Sequence, residues 1–527
     1  MHIECGCLSK KYYKPLKDKL MKQLLTLFLV TTSLFCFSQK NDINQYRCPC
    51  AKIGLDSLWA DKNKVSCFSI PVNKNSASKQ KSKYFLAVAI AKAGNNSLEN
   101  PLLYLHGGPG IATLENLPRY LKSATWKLIR EKRDLIFFDY RGTGFSQPSL
   151  CSDLQNSINT FSRTNPSSQE KAKHTDSLYR DCRSKLLAEG TDLATFSSFQ
   201  LAADAEEIRK ALKIPDWSIY GVSHGTTIGL NLLRSFPSKI NSIILDSPYP
   251  PNAPWFDFVR PFDTCFDVLE KNVLSDPIAG KRFRSLRKDF VSAVKRLNNK
   301  PVVLISKNKY DSVLVEYKYD GDDFAWSIWS AMLSPRSIPY VPLAIHEIAT
   351  GNDSILQQWS TALSSPDAHG KFSQAQSKAI LCFEGRPLKA EDTERSLLLK
   401  YPDFASFNSG YPTDICNIWR PDIANKDIFK AVVSKKPVLI LSGEYDPVCP
   451  PYFGAITSQT LPNSTFIVVP SASHAAIHAD DCMRTMANDF ISNPKKKPSK
   501  QCAENRVKIK FIAQDLSMAL KNYNDNR

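Results

Sequence analysis

One segment constrains this chain more than any other. Trp217-Ser218-Ile219-Tyr220, a short run rich in aromatic and β-branched residues, passes directly into Gly221-Val222-Ser223-His224-Gly225, and Thr226 to Leu233 follows as a helix-like stretch. The first run favours strand and the last favours helix, so the five residues between them must turn the chain sharply. A serine at such a turn is held in a strained backbone conformation, and its flanking glycines leave room for the close approach of neighbouring chain. Strand followed at once by helix is the unit of a mostly parallel sheet with helical crossovers.

The remaining segments repeat this pattern. Leu102–Leu105, Asp134–Phe138, Ser242–Leu245, Val438–Leu441 and Thr465–Val469 read as buried strands, each ending in a loop that carries glycine, aspartate or serine. Val65–Val72 and Tyr84–Ile90, separated by a polar Lys/Ser-rich stretch, read instead as an antiparallel hairpin. Between Leu245 and Val438 no comparable series of strands is evident. That interval holds Trp326, Trp329 and Trp359 on helix-like stretches broken by prolines. An insertion at this point of a parallel sheet lies over the carboxyl ends of the strands, where ligands bind. The expected organisation is a core in two parts, 39–250 and 426–527, with a mainly helical lid at 251–425. A separate linked domain is the alternative, but no Gly/Ser-rich linker supports it.

Residues 1–38 stand apart. Six lysines precede an apolar run from Leu24 to Phe37, and Cys36-Phe37-Ser38 places small residues where a signal peptidase cuts. The run is short for a bilayer span, so the expectation is a cleaved signal, with Met21 as a second possible start, and a secreted or periplasmic chain with no stable membrane span. Loss of this segment lowers the net charge from +18 to +14. The positive residues are scattered, apart from Lys495-Lys496-Lys497 and Lys500, and no nucleic-acid module accompanies them, so nucleic acid is not an expected partner. Eleven cysteines follow residue 38, and in an exported chain most should pair. Nearest-neighbour pairing suggests Cys50–Cys67, Cys151–Cys182, Cys382–Cys416 and Cys482–Cys502, although sequence alone leaves other connectivities open. Cys48, Cys265 and Cys449 are left over.

Four segments carry the candidate chemistry. Ser223 is the candidate nucleophile. His106-Gly107-Gly108-Pro109-Gly110 follows the strand Leu102–Leu105, and a glycine-rich loop there can aim backbone N–H groups at a developing oxyanion. Gly108 and His224 are the candidate donors. An acid and a base should follow in that order, each after a late strand. Asp446, in Ser442-Gly443-Glu444-Tyr445-Asp446-Pro447, and His474, in Ser471-Ala472-Ser473-His474, fill these places. Glu444 and Asp246 are alternative acids, and His478 is an alternative base. No metal or organic cofactor is required by such a set.

With His106–Gly110, Asp139-Tyr140-Arg141-Gly142-Thr143-Gly144-Phe145-Ser146, the stretch Phe199–Gly229, Gly443–Pro451 and His474 in hand, the chain resembles the prolyl and tripeptidyl aminopeptidase family of α/β-hydrolase serine peptidases, most of all its secreted tripeptidyl branch. The resemblance implies the α/β-hydrolase fold and hydrolysis of short peptides from a free amino end through an acyl-enzyme on Ser223. It departs at His224, where the family usually has Tyr or Trp. An aminopeptidase also needs an anion for the substrate's α-ammonium, since a buried unpaired charge is costly. Glu384 is the first candidate, with helix capping or pairing to Arg386 as the alternative, and Asp322 and Asp323 follow. A carboxylesterase or amidase with the same three residues is the runner-up, and a non-catalytic binding protein on this fold a third reading.

Overall fold

Alternation along the central strands explains how the chain buries a sheet on both faces. In the computed structural model, Leu103, Leu105, Ile136, Phe138, Ile219 and Ile243 pack into one apolar cluster. Their immediate neighbours Leu102, Tyr104, Leu135, Phe137, Tyr220 and Ile244 pack into another on the opposite side. Successive side chains of a strand point to opposite faces, so continuous apolar runs such as Leu-Leu-Tyr-Leu must be covered twice. Each fully buried side chain of this size contributes about 1.5–3 kcal/mol relative to exposure.

The structure describes residues 42–77, 83–94, 99–162, 164, 166, 168–253, 259–307, 314–363, 372–384, 413–419 and 426–514. The chain divides into two units, Met1–Gln45 and Tyr46–Arg527, and the sheet belongs to the second. The expected export signal, residues 1–38, lies outside the described residues. The strands are β1 (Val65–Asn73), β2 (Lys83–Ala91), β3 (Leu102–Leu105), β4 (Leu135–Phe138), β5 (Trp217–Val222), β6 (Ile240–Asp246), β7 (Val302–Lys307), β8 (Leu314–Tyr319), β9 (Val438–Gly443) and β10 (Ser464–Val469). Eight of them form one sheet in the order β1-β2-β4-β3-β5-β6-β9-β10. β1 and β2 pair antiparallel from Val65 opposite Ala91 to Asn73 opposite Lys83, as the hairpin reading expects. β2 also runs antiparallel to β4, and the other pairs are parallel. Strand order reverses around β3, whose neighbours are β4 on one side and β5 on the other. That is the switch point at which loops diverge and leave a crevice at the carboxyl ends of the strands.

Between β6 and β9 the chain builds a third apolar cluster, from Val259 to Trp359, in which Tyr445, Phe511 and Ala513 also take part. Its helices include Val259–Ser275, Leu286–Asn299, Gly321–Met332 and Val341–Ala349. One feature adds to the mainly helical expectation: β7 and β8 form an antiparallel ribbon. The apolar and β-branched residues from Val302 to Ile305 signal it, as does the alternation in Leu-Val-Glu-Tyr-Lys-Tyr, but prolines and tryptophans dominate the surrounding composition.

The four expected cysteine pairs are bonded, with Cα separations of 5.2, 6.0, 5.0 and 5.6 Å in chain order. Cys382–Cys416 joins the helix Gln374–Glu384 to the helix Thr413–Trp419 across 34 residues. Closing a loop of that length stabilises a fold by about 3–4 kcal/mol in the chain-entropy account. Joint replacement of Cys382 and Cys416 by serine is therefore expected to lower the urea midpoint under oxidising conditions, and to change it less once the wild type is also reduced. An oxidised midpoint equal to that of the wild type would count against this bridge.

Candidate active site

The turn after β5 has the geometry its sequence requires. Ser223 sits at φ 55° and ψ −127°, a conformation that side-chain-bearing residues rarely adopt, and the helix His224–Ser235 begins at the next residue. Two glycines make this turn possible. A Cβ on Gly225 would lie 2.0 Å from the carbonyl oxygen of Leu105, so the new helix packs against the end of β3 only because that side chain is missing. A Cβ on Gly107 would stand 3.0 Å from the Cβ of Ser223 and 3.5 Å from its Oγ. The loop His106–Gly110 thus runs directly beside the serine at Gly107, a residue that sequence reading did not single out from its neighbour Gly108. Gly108 has φ 121°, open to glycine and strained for other residues. The N–H of His224 is one of the first-turn donors of its helix, which have no partner within the helix itself.

Asp446 and His474 come together as expected. The ring Nδ1 of His474 donates to Oδ2 of Asp446 at 2.8 Å, and Oδ1 of Asp446 accepts the backbone N–H groups of Val448 at 2.9 Å and Cys449 at 2.8 Å. Burial opposes the charged form of both groups, yet their attraction prevails. Asp446 is held below the ordinary carboxylate range and His474 above the ordinary imidazole value. The carboxylate is fully buried, whereas the imidazole side chain keeps 22% of its exposure. The pair therefore has one shielded end and one open end.

The rival residues have other partners. Asp246 accepts the N–H groups of Ala476 at 2.8 Å and Ile477 at 3.1 Å together with the Tyr220 hydroxyl, and burial raises its pKa to about 6. Glu444 accepts the N–H of Ser471 at 2.8 Å and the amide of Asn272 at 3.0 Å. The two carboxylates pin the His474 loop on either side while Asp446 takes the ring. His478 has Nδ1 2.7 Å from the Thr125 hydroxyl, and desolvation of its ring, with the charge of Arg484, lowers its pKa to about 4.

The Asp139–Ser146 motif frames the site. Asp139 accepts the N–H groups of Thr113, Leu114 and Phe145, which ties the chain beyond the glycine loop to the turn after β4. Arg141 forms a fully buried bidentate pair with Asp204, at 2.7 and 2.6 Å, and also donates to the carbonyls of Asn73 and Lys74. Such a pair is strongly destabilising to break because either partner alone is a buried charge.

Glu384 lies in a buried relay. Its Oε1 accepts the N–H of Ser198 at 2.5 Å and its Oε2 accepts the Ser198 hydroxyl at 2.8 Å; that hydroxyl is 2.9 Å from Nε2 of His224. The carboxylate therefore caps the helix Ser198–Ala211 and is linked through one serine to the residue after Ser223. It also lines a small pocket with Thr227, Asn231, Pro251, Ile428 and Phe429. Burial raises its pKa to about 7. Arg386, its alternative partner, lies outside the described residues. Asp322 and Asp323 open the helix Gly321–Met332: Asp320 accepts both of their N–H groups at 3.0 Å and Asp323 accepts that of Asp320 in return.

Cys449 is the residue that sequence reading missed. Beyond its backbone bond to Asp446, its side chain is fully buried beside that acid. Its sulfur lies within 4.8 Å of a donor atom of Asp446 and of His474. The signal available was its position three residues after the acid in a proline-flanked turn.

A strained serine at the head of a helix, at the carboxyl end of a central parallel strand, with a buried carboxylate–imidazole pair on the later strands, defines a serine hydrolase. The chain belongs to the α/β-hydrolase fold family, whose sequence pattern matches residues 100–481. Among its relatives, the serine protease Hip1 of Mycobacterium tuberculosis is 21% identical over 414 residues, which cover 75% of this chain and 78% of that protein. The tripeptidyl aminopeptidase of Streptomyces lividans is 27% identical over 229 residues, 41% of this chain and 43% of that one. The proline iminopeptidase of Arabidopsis thaliana is 26% identical over 146 residues, 28% and 26% of the two chains, so the match spans about a quarter of the plant protein.

Proposed function

We propose that the protein is an exported serine exopeptidase that removes residues or short peptides from the free amino end of peptides. Ser223 attacks the scissile carbonyl, His474 takes its proton and returns it to the leaving amine, and Asp446 holds the imidazole in the required tautomer and stabilises its cation. The N–H groups of Gly108 and His224 receive the oxyanion. Each such donor contributes about 3–4 kcal/mol to the transition state. The peptidase names of relatives support the reaction class. Export is supported by the lysine-rich, apolar start of the sequence and by four bonded cysteine pairs.

The observation that carries the amino-end reading is the buried Glu384 carboxylate, one serine away from His224. Held near a pKa of about 7 by burial, it is only partly ionised at neutral pH, and an arriving ammonium would favour its charged form. The sign follows: KM for free-amino substrates falls as pH rises through about 7, then climbs once the α-ammonium loses its proton near ~8. Substrates with a blocked amino end show neither limb. Glu384→Gln is expected to lower kcat/KM for free-amino amides about 100-fold, the scale of truncating one partner of a buried charge pair, while blocked substrates change little. Chromogenic aminoacyl, prolyl and tripeptidyl amides with free or blocked ends, beside short acyl esters, make the comparison. Turnover of blocked amides or esters alone would sink the aminopeptidase reading.

A further inference from the structure

We infer that Asp446, Cys449 and His474 form an inhibitory site for a soft divalent cation, of which Zn2+ is the probe, so that metal binding switches the hydrolase off. The inference rests on His474 being the base, but the binding half of its test does not. A carboxylate oxygen, a thiol sulfur and a ring nitrogen, all from residues of one turn and the loop beside it, lie within 4.8 Å of one another. Zinc favours this donor set, at about 2.3 Å to sulfur and about 2.0–2.2 Å to nitrogen and oxygen, so tetrahedral donors stand about 3.5 Å apart. Drawing these three together needs side-chain movements of about 1 Å rather than a change of fold. Cys449 and Asp446 are fully buried, and Asp246 adds a second carboxylate whose charge is felt at both Cys449 and His474. A dication is well matched to that environment. On binding, the Cys449 thiol releases its proton to solvent, and the resulting thiolate and the Asp446 carboxylate neutralise the metal, so no net charge is left buried. The fourth position is left to water, as in zinc sites with three protein ligands. The partly exposed imidazole edge provides the route of entry.

The consequence for turnover is direct. A metal on the ring nitrogen or on Asp446 takes either the lone pair that accepts the Ser223 proton or the carboxylate that orients the ring. Serine or threonine at position 449 would offer a hard, weakly acidic hydroxyl in place of a thiolate, so the thiol is what confers affinity for a soft cation.

The test uses the full mature chain with ZnCl2 as the only added metal. Turnover should fall reversibly on titration and return with a chelator. Calorimetry on the Ser223→Ala protein should give one tightly bound Zn2+ per chain, and Cys449→Ser on that background should weaken it about 100-fold or more, exceeding the effect of losing an outer-shell partner. Co2+ in place of Zn2+ should show a thiolate-to-cobalt charge-transfer band in the otherwise unaltered protein, a readout that does not depend on any variant folding. Equal inhibition of Cys449→Ser, or stoichiometric metal binding without the thiolate band, overturns the site. Binding with the band but with undiminished turnover overturns the inhibitory role and counts against His474 as the base.

Discussion

Replacing Ser223 by alanine is expected to lower kcat by about six orders of magnitude, the loss seen when a serine hydrolase of this type is deprived of its nucleophile. The change removes one oxygen from a residue whose backbone is fixed by its neighbours. Ser223 N–H donates to Asp246 and its carbonyl accepts from Thr226, and neither bond involves the hydroxyl. Folding and substrate affinity should therefore persist, which makes the variant a clean control. Residual activity of about 10³–10⁴ over water should come from the oxyanion donors and binding alone. Turnover of the preferred substrate and covalent labelling by a fluorophosphonate give two readouts, and retention of either by Ser223→Ala would remove Ser223 from the mechanism.

The second large effect is at Asp446. Asp446→Asn keeps the shape and can keep the N–H bonds from Val448 and Cys449, yet it replaces a carboxylate with a group that presents either a donor or a neutral acceptor to Nδ1 of His474. With the donor facing the ring, the imidazole adopts the wrong tautomer and cannot accept the Ser223 proton on its other nitrogen. A fall of about 10⁴ in kcat is the expected size. The pH profile supplies an independent check with a definite sign. Asp446 raises the His474 pKa above its ordinary value of 6.5, and only the neutral ring can act as base, so the acid limb of kcat/KM in the wild type should lie above pH 6.5. Removing the negative charge lowers that pKa, so the limb of Asp446→Asn moves to lower pH while its plateau drops. An unmoved limb would mean that another group sets it, with Asp246 the first to examine because its charge also acts on His474.

These effects bear on why Asp446, and not its rivals, takes the ring. Glu444, Asp446 and Asp246 all sit at the carboxyl ends of neighbouring strands, and chain order alone puts each in reach of a late histidine. The difference is a matter of which atoms the other two already hold. Asp246 is occupied by N–H groups 230 and 231 residues away in sequence, and Glu444 by one 27 residues away. No periodicity in the sequence reports such pairings.

Sequence alone determined the elements and their faces: the period-two apolar runs, the sharp strand-to-helix turn at Ser223, the glycine loop beside β3, and the order of nucleophile, acid and base. It did so because these depend on local backbone preference and on which side of a strand each residue faces. Only the tertiary structure decided the rest. The assignment among the three acids, the link from Glu384 through Ser198 to His224, the placing of Gly107 beside Ser223, and the grouping of Cys449 with Asp446 and His474 all arise where elements distant in sequence converge. Side-chain partnerships there are set by sheet order and by the exact rise of each loop, and neither is encoded in any one stretch of the chain.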